Sequence, residues 1–161
     1  MIIGIVSDTH GHVEFTRPAV RMLASCDVDL VIHCGDIGSA EIVRLFQPWP
    51  AHFVFGNVDS PPDVLRDAIL AAGQTCHERF GTLELASRKI AFLHGDDMPR
   101  LRETIEGGQY DLVCCGHTHQ AEQHPRGKTL VVNPGALFRA QPHSIAIARL
   151  PQMEISHVTV D

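Results

Sequence analysis

Short apolar runs alternate with helical patterns through the first half of the chain, and this alternation constrains the fold more than any other feature. Three runs rich in valine, isoleucine or phenylalanine, at 2–6, 29–34 and 52–55, predict buried strands. The segments between them, at 13–25 and around 39–46, have the periodicity of helices. Strands that alternate with helices are typical of an α/β fold in which neighbouring strands run parallel.

Proline and glycine mark the limits of the predicted helices. Pro18 should shorten or kink the helix at 13–25, because proline removes a backbone donor and clashes with the preceding turn. A third helix is predicted between Ser60, as its N-cap, and Gly73, just past its end, with two prolines in its first turn.

The pattern changes in the second half of the chain. The segment 81–96 predicts two strands joined by a turn near Ser87–Lys89, and a helix is predicted over 98–108. A strand at 111–115 follows, and the later segments TLVVN, SIAIARL and MEISHVTV alternate as in antiparallel strands. We therefore expect one α/β domain over 1–161, whose sheet starts parallel and finishes antiparallel.

Composition and charge exclude several classes of protein. Apolar residues make up 44% of the chain, enough for a substantial core, and the net charge of −6 comes with no block of lysine and arginine. Nucleic acid is therefore not an expected partner. No segment approaches the roughly 20 apolar residues needed to cross a bilayer, so no membrane partner is expected.

Cysteine usage indicates a reducing compartment. The five cysteines are odd in number and form no C-x-x-C motif. This pattern indicates neither a disulfide framework nor a thiolate zinc site. The first residues have no basic leader, and their apolar run stops at Ser7. We therefore expect a cytoplasmic protein with reduced cysteines.

Acid, amide and imidazole side chains follow five of the predicted strands, at the point where each strand ends. These residues are Asp8, His10, Asp36, Asn57, Asp59, His94, His117 and His119. The carboxyl ends of strands in an open α/β sheet converge on one crevice, where such folds bind ligands. We therefore expect these side chains to lie close together.

Each of these motifs has a simpler explanation when it is taken alone. An aspartate after a strand often caps the next helix, and His117 and His119 could belong to a polar turn. Five strand exits that all carry such residues favour a metal site instead. The seven nitrogen and oxygen ligands that these residues offer besides Asp59, with no thiolate, are too many for one tetrahedral ion, so the pattern indicates two ions with one bridging carboxylate.

The same residues resemble a known family. The series D-x-H, G-D, G-N, H and G-H-x-H, with N-P-G at Asn133–Gly135, is similar to the calcineurin-like metallophosphoesterase superfamily, and most of all to its small YfcE-type phosphodiesterases. The resemblance runs from Ile2 to about Gly135 and includes the whole ligand set. It implies a four-layer αββα sandwich of two mixed β-sheets flanked by helices, formed by a single metallophosphoesterase domain.

The resemblance also implies which residues bind which ion. The first ion would be held by Asp8, His10, Asp36 and His119. The second ion would be held by Asp36, Asn57, His94 and His117, which are also the implied catalytic residues. Two such ions lower the pKa of a shared water and offset charge on phosphoryl oxygens, so the implied reaction is direct hydrolysis of a phosphate ester by a metal-bridging hydroxide.

The chain departs from the family pattern at two positions. Many members have a histidine where this chain has Val58, and the phosphoprotein phosphatases pair that histidine with an aspartate where this chain has Ser39. Valine cannot protonate a leaving group, so phosphodiesters or activated esters are the expected substrates. His12, Asp59 and Asp96 are the alternative candidates for the acid.

Three functions stay open. The leading hypothesis is a phosphodiesterase acting on a small molecule or nucleotide, and the second is a phosphomonoesterase acting on a small molecule. The third is a non-catalytic protein-binding scaffold, because the retromer subunit of this fold is a non-enzymatic relative. A scaffold, however, has no need of seven metal ligands.

The ligand set also bears on the metal and on the partners. Imidazole and carboxylate ligands suit manganese, our first expectation, and also iron, nickel, cobalt or zinc. Whether the chain forms a homo-oligomer stays an open question. Arg17, Arg100 and Arg139 are open candidates for contacts with the substrate.

Overall fold

Eleven strands and four helices form two β-sheets with helices outside them in the computed structural model, which describes residues 1–160. The strands are β1 Ile2–Val6, β2 Leu30–His33, β3 Ala51–Phe53, β4 Thr75–Cys76, β5 Gly81–Leu85, β6 Arg88–Phe92, β7 Leu112–Cys114, β8 Ala121–Arg126, β9 Thr129–Pro134, β10 Ser144–Arg149 and β11 Glu154–Thr159. The helices are α1 Val13–Ser25, α2 Ala40–Leu45, α3 Asp63–Ala71 and α4 Met98–Glu106. Within residues 1–160, none of these helices is long and apolar enough to cross a membrane.

Both sheets combine parallel and antiparallel strands. The first has six strands in the order β11-β10-β1-β2-β3-β4. Strands β1 to β4 run parallel, and β10 runs antiparallel to both of its neighbours, β1 and β11. The second has five strands in the order β5-β6-β7-β9-β8, in which β6, β7 and β9 run parallel between antiparallel edge strands. The single sheet expected from the apolar pattern is therefore wrong, because the strands divide between two sheets.

Apolar side chains fill the space between the two sheets and under the helices. Ile5 and Ile32 of the first sheet share one buried cluster with Phe92 and Cys114 of the second, so the sheets pack face to face. A second cluster lies between the first sheet and α1, α2 and α3, and a third lies between the second sheet and α4. This arrangement confirms the four-layer sandwich.

The strand register brings the ends of the parallel strands to one edge. Val6 of β1 lies opposite His33 of β2, and His33 lies opposite Phe53 of β3. In the second sheet, Phe92 of β6 lies opposite Cys114 of β7. The loops that follow these five strands therefore emerge side by side, as expected for the carboxyl edge of parallel strands.

Two predictions about helix limits are wrong. Pro18 lies inside α1 without shortening it, since the neighbouring Ala19 and the more distant Leu23 are fully buried and hold the helix on the core. Helix α3 begins at Asp63 with Pro62 at its N-cap, so Ser60 lies before the cap position and does not cap the helix.

Candidate metal centre

Five of the seven predicted ligands converge where the strands end. Nε2 of His10 and Nε2 of His94 lie 3.4 Å and 3.3 Å from Oδ2 of Asp36. Nε2 of His119 lies 3.1 Å from Oδ1 of Asp8. Two overlapping groups result, one of Asp8, His10 and His119 and one of Asp8, Asp36 and His94, each with its ligand atoms within 4.8 Å of one another.

Buried polar atoms without hydrogen-bond partners concentrate at this cluster. In the described residues they are Ser7 Oγ, Asp8 Oδ1, His10 Nε2 and His94 Nε2. An unpartnered buried polar group is costly, by roughly 1–3 kcal/mol, so such groups are rare in native proteins. Three of these four atoms are carboxylate or imidazole ligand atoms, and the site therefore fits a bound cation in its donor set and in its burial.

Backbone carbonyls orient two of the imidazoles. Nδ1 of His94 lies 2.8 Å from the carbonyl oxygen of Cys34, and Nδ1 of His119 lies 3.4 Å from that of Arg139. A carbonyl only accepts, so each Nδ1 carries the proton and donates it. In the neutral ring, Nε2 then has the lone pair that can bind a metal, as in metal sites where a second hydrogen bond fixes the histidine.

The charges of the cluster are mutually dependent. Burial would raise the pKa of Asp36, but the adjacent His94 and the N–H of Val58 outweigh it and hold the pKa below its usual value. Burial would also raise the pKa of Asp8, but the adjacent His10 and Ser7 outweigh burial, so this pKa too lies below its usual value. For His94, burial favours the neutral ring, but Asp36 and Asp8 raise its pKa above 6.5. Both aspartates are therefore carboxylates, as metal ligation requires.

The backbone of the site is strained. Five predicted ligands have a positive φ, between 47° and 70°, a region that non-glycine residues rarely adopt: Asp8, His10, Asp36, His117 and His119. Such strain costs of order 1–3 kcal/mol per residue and concentrates at functional sites. Hydrogen bonds between loops hold it, including those from the N–H of Asp8 to Gly35 and from the N–H of His10 to Asp36.

Two glycines allow the loops to approach the carboxylates. A Cβ on Gly56 would collide with Oδ1 of Asp36, and a Cβ on Gly116 would collide with Oγ of Ser7. The backbone must therefore be bare at both positions. The G-N and G-H-x-H motifs contain these glycines, which explains why glycine precedes the ligand in each.

The structure places the other two predicted ligands differently. His117 is exposed, and its ring packs edge-on against His94 with ring centroids 5.1 Å apart. Its backbone N–H donates to Oδ2 of Asp8. Asn57 is exposed on the loop after β3, and its side chain makes no hydrogen bond within residues 1–160. Both residues border the cluster but belong to neither ligand group.

Asp59 has a structural role that its position on a loop would not suggest. Its carboxylate is buried and accepts backbone N–H bonds from Ile37 and Gly56 on Oδ2 and from Gly38 on Oδ1. These bonds join the loop after β3 to the loop that carries Asp36. A carboxylate with three such donors is not available as a leaving-group acid, which argues against that candidate role.

The remaining acid candidates differ in availability. Asp96 forms a 2.6 Å ion pair with Arg79. Burial would raise the pKa of Asp96, but this ion pair outweighs burial and lowers it. It is therefore a carboxylate and a poor acid. His12 lies beside the cluster with its ring stacked on Phe138 at 3.9 Å, and its Nδ1 contacts Glu14. His12 alone stays a candidate.

A buried histidine, His33, lies behind the site. His33 is fully buried and its Nδ1 accepts the N–H of Gly35, so its Nε2 carries the proton that is donated to Thr9. Thr9 in turn donates to the carbonyl of Ile37. This chain connects the loops that hold Asp8 and Asp36. Its sequence signal is a histidine at the end of a buried strand, one residue away from the G-D motif at Gly35–Asp36.

The fold and the site together define a class: two-sheet α/β proteins with a buried cluster of metal-binding side chains at the edge shared by the parallel strands. The chain belongs to the calcineurin-like phosphoesterase superfamily, whose domain model matches residues 1–153. The predicted family and the predicted enzyme class, a phosphoesterase, are confirmed.

Individual relatives agree with this assignment. The chain is 33% identical to phosphodiesterase MJ0936 of Methanocaldococcus jannaschii over 138 residues, which cover 84% of this chain and 83% of the relative. A solved structure described as a novel archaeal phosphodiesterase superposes with a TM-score of 0.91 at 28% identity, covering 99% of both chains. YfcE, a phosphoesterase from E. coli, shares the fold with a TM-score of 0.69 at 18% identity over the full length of both chains.

Proposed function

We propose that this chain, as one domain over 1–161, is a phosphodiesterase with a two-ion metal centre. The proposed ligands are Asp8, His10, Asp36, Asn57, His94, His117 and His119. The observation that carries the proposal is the set of buried ligand atoms without hydrogen-bond partners, Asp8 Oδ1, His10 Nε2 and His94 Nε2. Buried polar atoms without hydrogen-bond partners are rare in native proteins, and a bound cation would give all three of these atoms a partner.

The position of Asp36 supports its role as the bridging ligand. Its Oδ2 lies within 3.4 Å of His10 Nε2, assigned to the first ion, and of His94 Nε2, assigned to the second. Its Oδ1 accepts the N–H of Val58, which fixes the rotation of the carboxylate. Asp8 is the residue that the two ligand groups share, and Asp36 joins them through its contacts with His10 and His94, so two carboxylates supply negative charge for two divalent cations.

Divalent ions held by these residues would acidify a water and neutralise phosphoryl oxygens, which permits hydrolysis without a covalent enzyme intermediate. The protein contributes fixed geometry: carbonyls set the proton positions of His94 and His119, and strained loops hold Asp8 and Asp36 at one point. A preorganised site needs little rearrangement when charge develops on the substrate.

Val58 supports a diester rather than an alkyl monoester as substrate. Its side chain is 45% exposed beside Asp36, at the position where many relatives have a histidine, and it offers no proton. Asp59 and Asp96 are engaged elsewhere, so only His12 could replace that acid. General acid help is worth about 10²–10⁴ in rate, and a phenolate leaving group does without it.

The test is hydrolysis of bis-p-nitrophenyl phosphate and p-nitrophenyl phosphate by purified protein, with manganese and with a chelator. We expect manganese-dependent cleavage with the diester preferred. A preference for the monoester would favour the phosphomonoesterase alternative. No cleavage of either ester with manganese, iron, nickel, cobalt or zinc would favour the scaffold alternative. Manganese as the native ion and a cytoplasmic location are parts of the same proposal, the latter because all five cysteines are free.

A further inference from the structure

A cavity of about 520 Å³ lies between α4 and the outer face of the second sheet. The order of the strands explains it. Helix α4 packs over β6 and β7, where its Leu101 and Ile105 contact Ala91, Leu93 and Val113. Strands β9 and β8 lie beyond β7 in the sheet, which leaves a groove at the side of the helix.

One face of the helix and one face of the strands line this groove. Helix α4 contributes Met98, Leu101, Arg102, Ile105 and Glu106, which share a face because they follow the i, i+3, i+4, i+7, i+8 pattern. The strands contribute alternate residues: Glu122, His124 and Arg126 from β8, and Val131 and Asn133 from β9. The groove is therefore a product of the fold and has an apolar floor with polar rims.

The groove opens beside the metal ligands. Two glycines line the end of the groove: Gly95 directly follows His94, and Gly116 directly precedes His117. Nδ2 of Asn133 donates to the carbonyl of Gly116 at 2.9 Å and to Oγ1 of Thr118 at 3.0 Å, which ties the wall of the groove to the histidine loop. A phosphorus atom at the metal centre could thus extend one of its substituents into the groove.

The charges of the groove select the kind of substituent. Two arginines, Arg102 and Arg126, and two glutamates, Glu106 and Glu122, line the groove, and within residues 1–160 none of their side chains forms a hydrogen bond or an ion pair. Because the two positive and two negative side chains balance, the groove does not favour a second phosphate group of a substrate. The same side chains offer both hydrogen-bond donors and hydrogen-bond acceptors. The volume is within the usual range for small-molecule sites, about 300–1,000 Å³.

We propose that this groove binds one ester substituent of the phosphodiester, an uncharged group with a flat apolar body and a hydrogen-bonding edge, such as a nucleoside. The proposal rests on the proposed phosphodiesterase function and adds to it the class of substrate. Leu101, Ile105 and Val131 contact the apolar body, and the arginines and glutamates pair with its edge.

The kinetic test compares two diesters that share a p-nitrophenolate leaving group, thymidine 5′-p-nitrophenyl phosphate and methyl p-nitrophenyl phosphate, with manganese present. We expect Ile105→Trp, which fills the groove, to raise KM for the nucleoside ester about tenfold or more and to leave the methyl ester within about twofold. Glu103→Trp is the matched control, since it places the same side chain on the exposed face of the same helix and should change neither.

A second pair of variants covers the case in which Ile105→Trp does not fold. Glu122→Trp fills the groove from an exposed position on β8, and Gln123→Trp, also exposed, places the ring on the opposite face of that strand. Only the first should raise KM for the nucleoside ester. Equal effects on both substrates, or an effect from both members of a pair, would overturn the proposal.

A binding measurement separates this proposal from the catalytic one. Methyl resonances of Leu101, Ile105 and Val131 are followed by NMR while thymidine 5′-phosphate is added to metal-free protein. We expect shift changes at these methyls that are lost in Glu122→Trp. No change up to about 10 mM ligand, weaker than ordinary metabolite affinity, contradicts the groove even if the enzyme is active. Shift changes without hydrolysis of any ester would contradict only the proposed function.

Discussion

Removal of the Asp59 carboxylate should destabilise the fold around the site more than its position in a loop suggests. Asp59 is only 4% exposed and accepts three backbone N–H bonds, two on Oδ2 and one on Oδ1. The donors, Ile37, Gly38 and Gly56, lie on two different loops; Ile37 and Gly56 are buried and cannot turn to water, whereas Gly38 is exposed. Asp59→Ala therefore removes three hydrogen bonds and leaves two buried donors without an acceptor.

The size of the effect follows from these bonds. A hydrogen bond to a charged group contributes about 1.5–3 kcal/mol, and an unsatisfied buried donor costs about 1–3 kcal/mol. Bonds that share one carboxylate are not additive, and water can partly enter the space, so we expect Asp59→Ala to lose about 3–5 kcal/mol. Asp59→Asn should lose about 1–3 kcal/mol, because its amide oxygen can still accept from the two buried donors now on Oδ2, although in weaker neutral bonds, and the exposed Gly38 can bond to water.

The assay is urea unfolding with a chelator present, so that metal binding does not contribute to the measured free energy. Asp63→Asn is the control, because this aspartate is exposed and forms only a surface ion pair with Arg66; its expected change is below about 1 kcal/mol. If Asp59→Ala stays within about 1 kcal/mol of wild type, the three bonds do not hold the loops together and the structural role assigned to Asp59 is wrong.

Three further predictions concern the site and its support. Asp36→Asn should fold normally and lose more than about nine-tenths of kcat, because an amide cannot offset the charge of two cations; retention of more than about a tenth would contradict the bridging role. Burial lowers the pKa of His33 to about 3, whereas the ordinary value of 6.5 applies in the unfolded chain. Between these two pH values the unfolded state binds one more proton than the folded state, so the free energy of unfolding falls as the pH decreases below 6.5. The loss is about 1.4 kcal/mol per pH unit, and urea unfolding at pH 7, 6 and 5 should show a shallower pH dependence for His33→Gln than for wild type; equal slopes would refute it. Val58→His should raise hydrolysis of alkyl monoesters relative to bis-p-nitrophenyl phosphate, and an unchanged ratio would show that residue 58 does not set the substrate class.

The position of the site could be predicted from the sequence because its signal is local. Each ligand directly follows an apolar run, and the rule that parallel strands end at one edge converts this order into proximity. Asp8, His10, Asp36, His94 and His119 meet for this reason.

Features that depend on distant packing could not be predicted in the same way. The division into two sheets depends on which strands pair, and apolar periodicity does not contain that information. Strand β8 was missed because it is an edge strand with mostly exposed polar residues and a proline, Pro125, which an edge tolerates. The role of Asp59 was missed because its three donors come from the adjacent loops, and a sequence does not show where their N–H groups point.

The most direct test of the metal centre is an anomalous difference map from crystals of this protein grown with excess manganese. We predict two peaks per chain, about 3.5–4 Å apart, as in two-metal hydrolases. One should contact His10 and His119, the other His94, and Asp36 should contact both. A single peak, or none among these side chains, would contradict the two-ion centre.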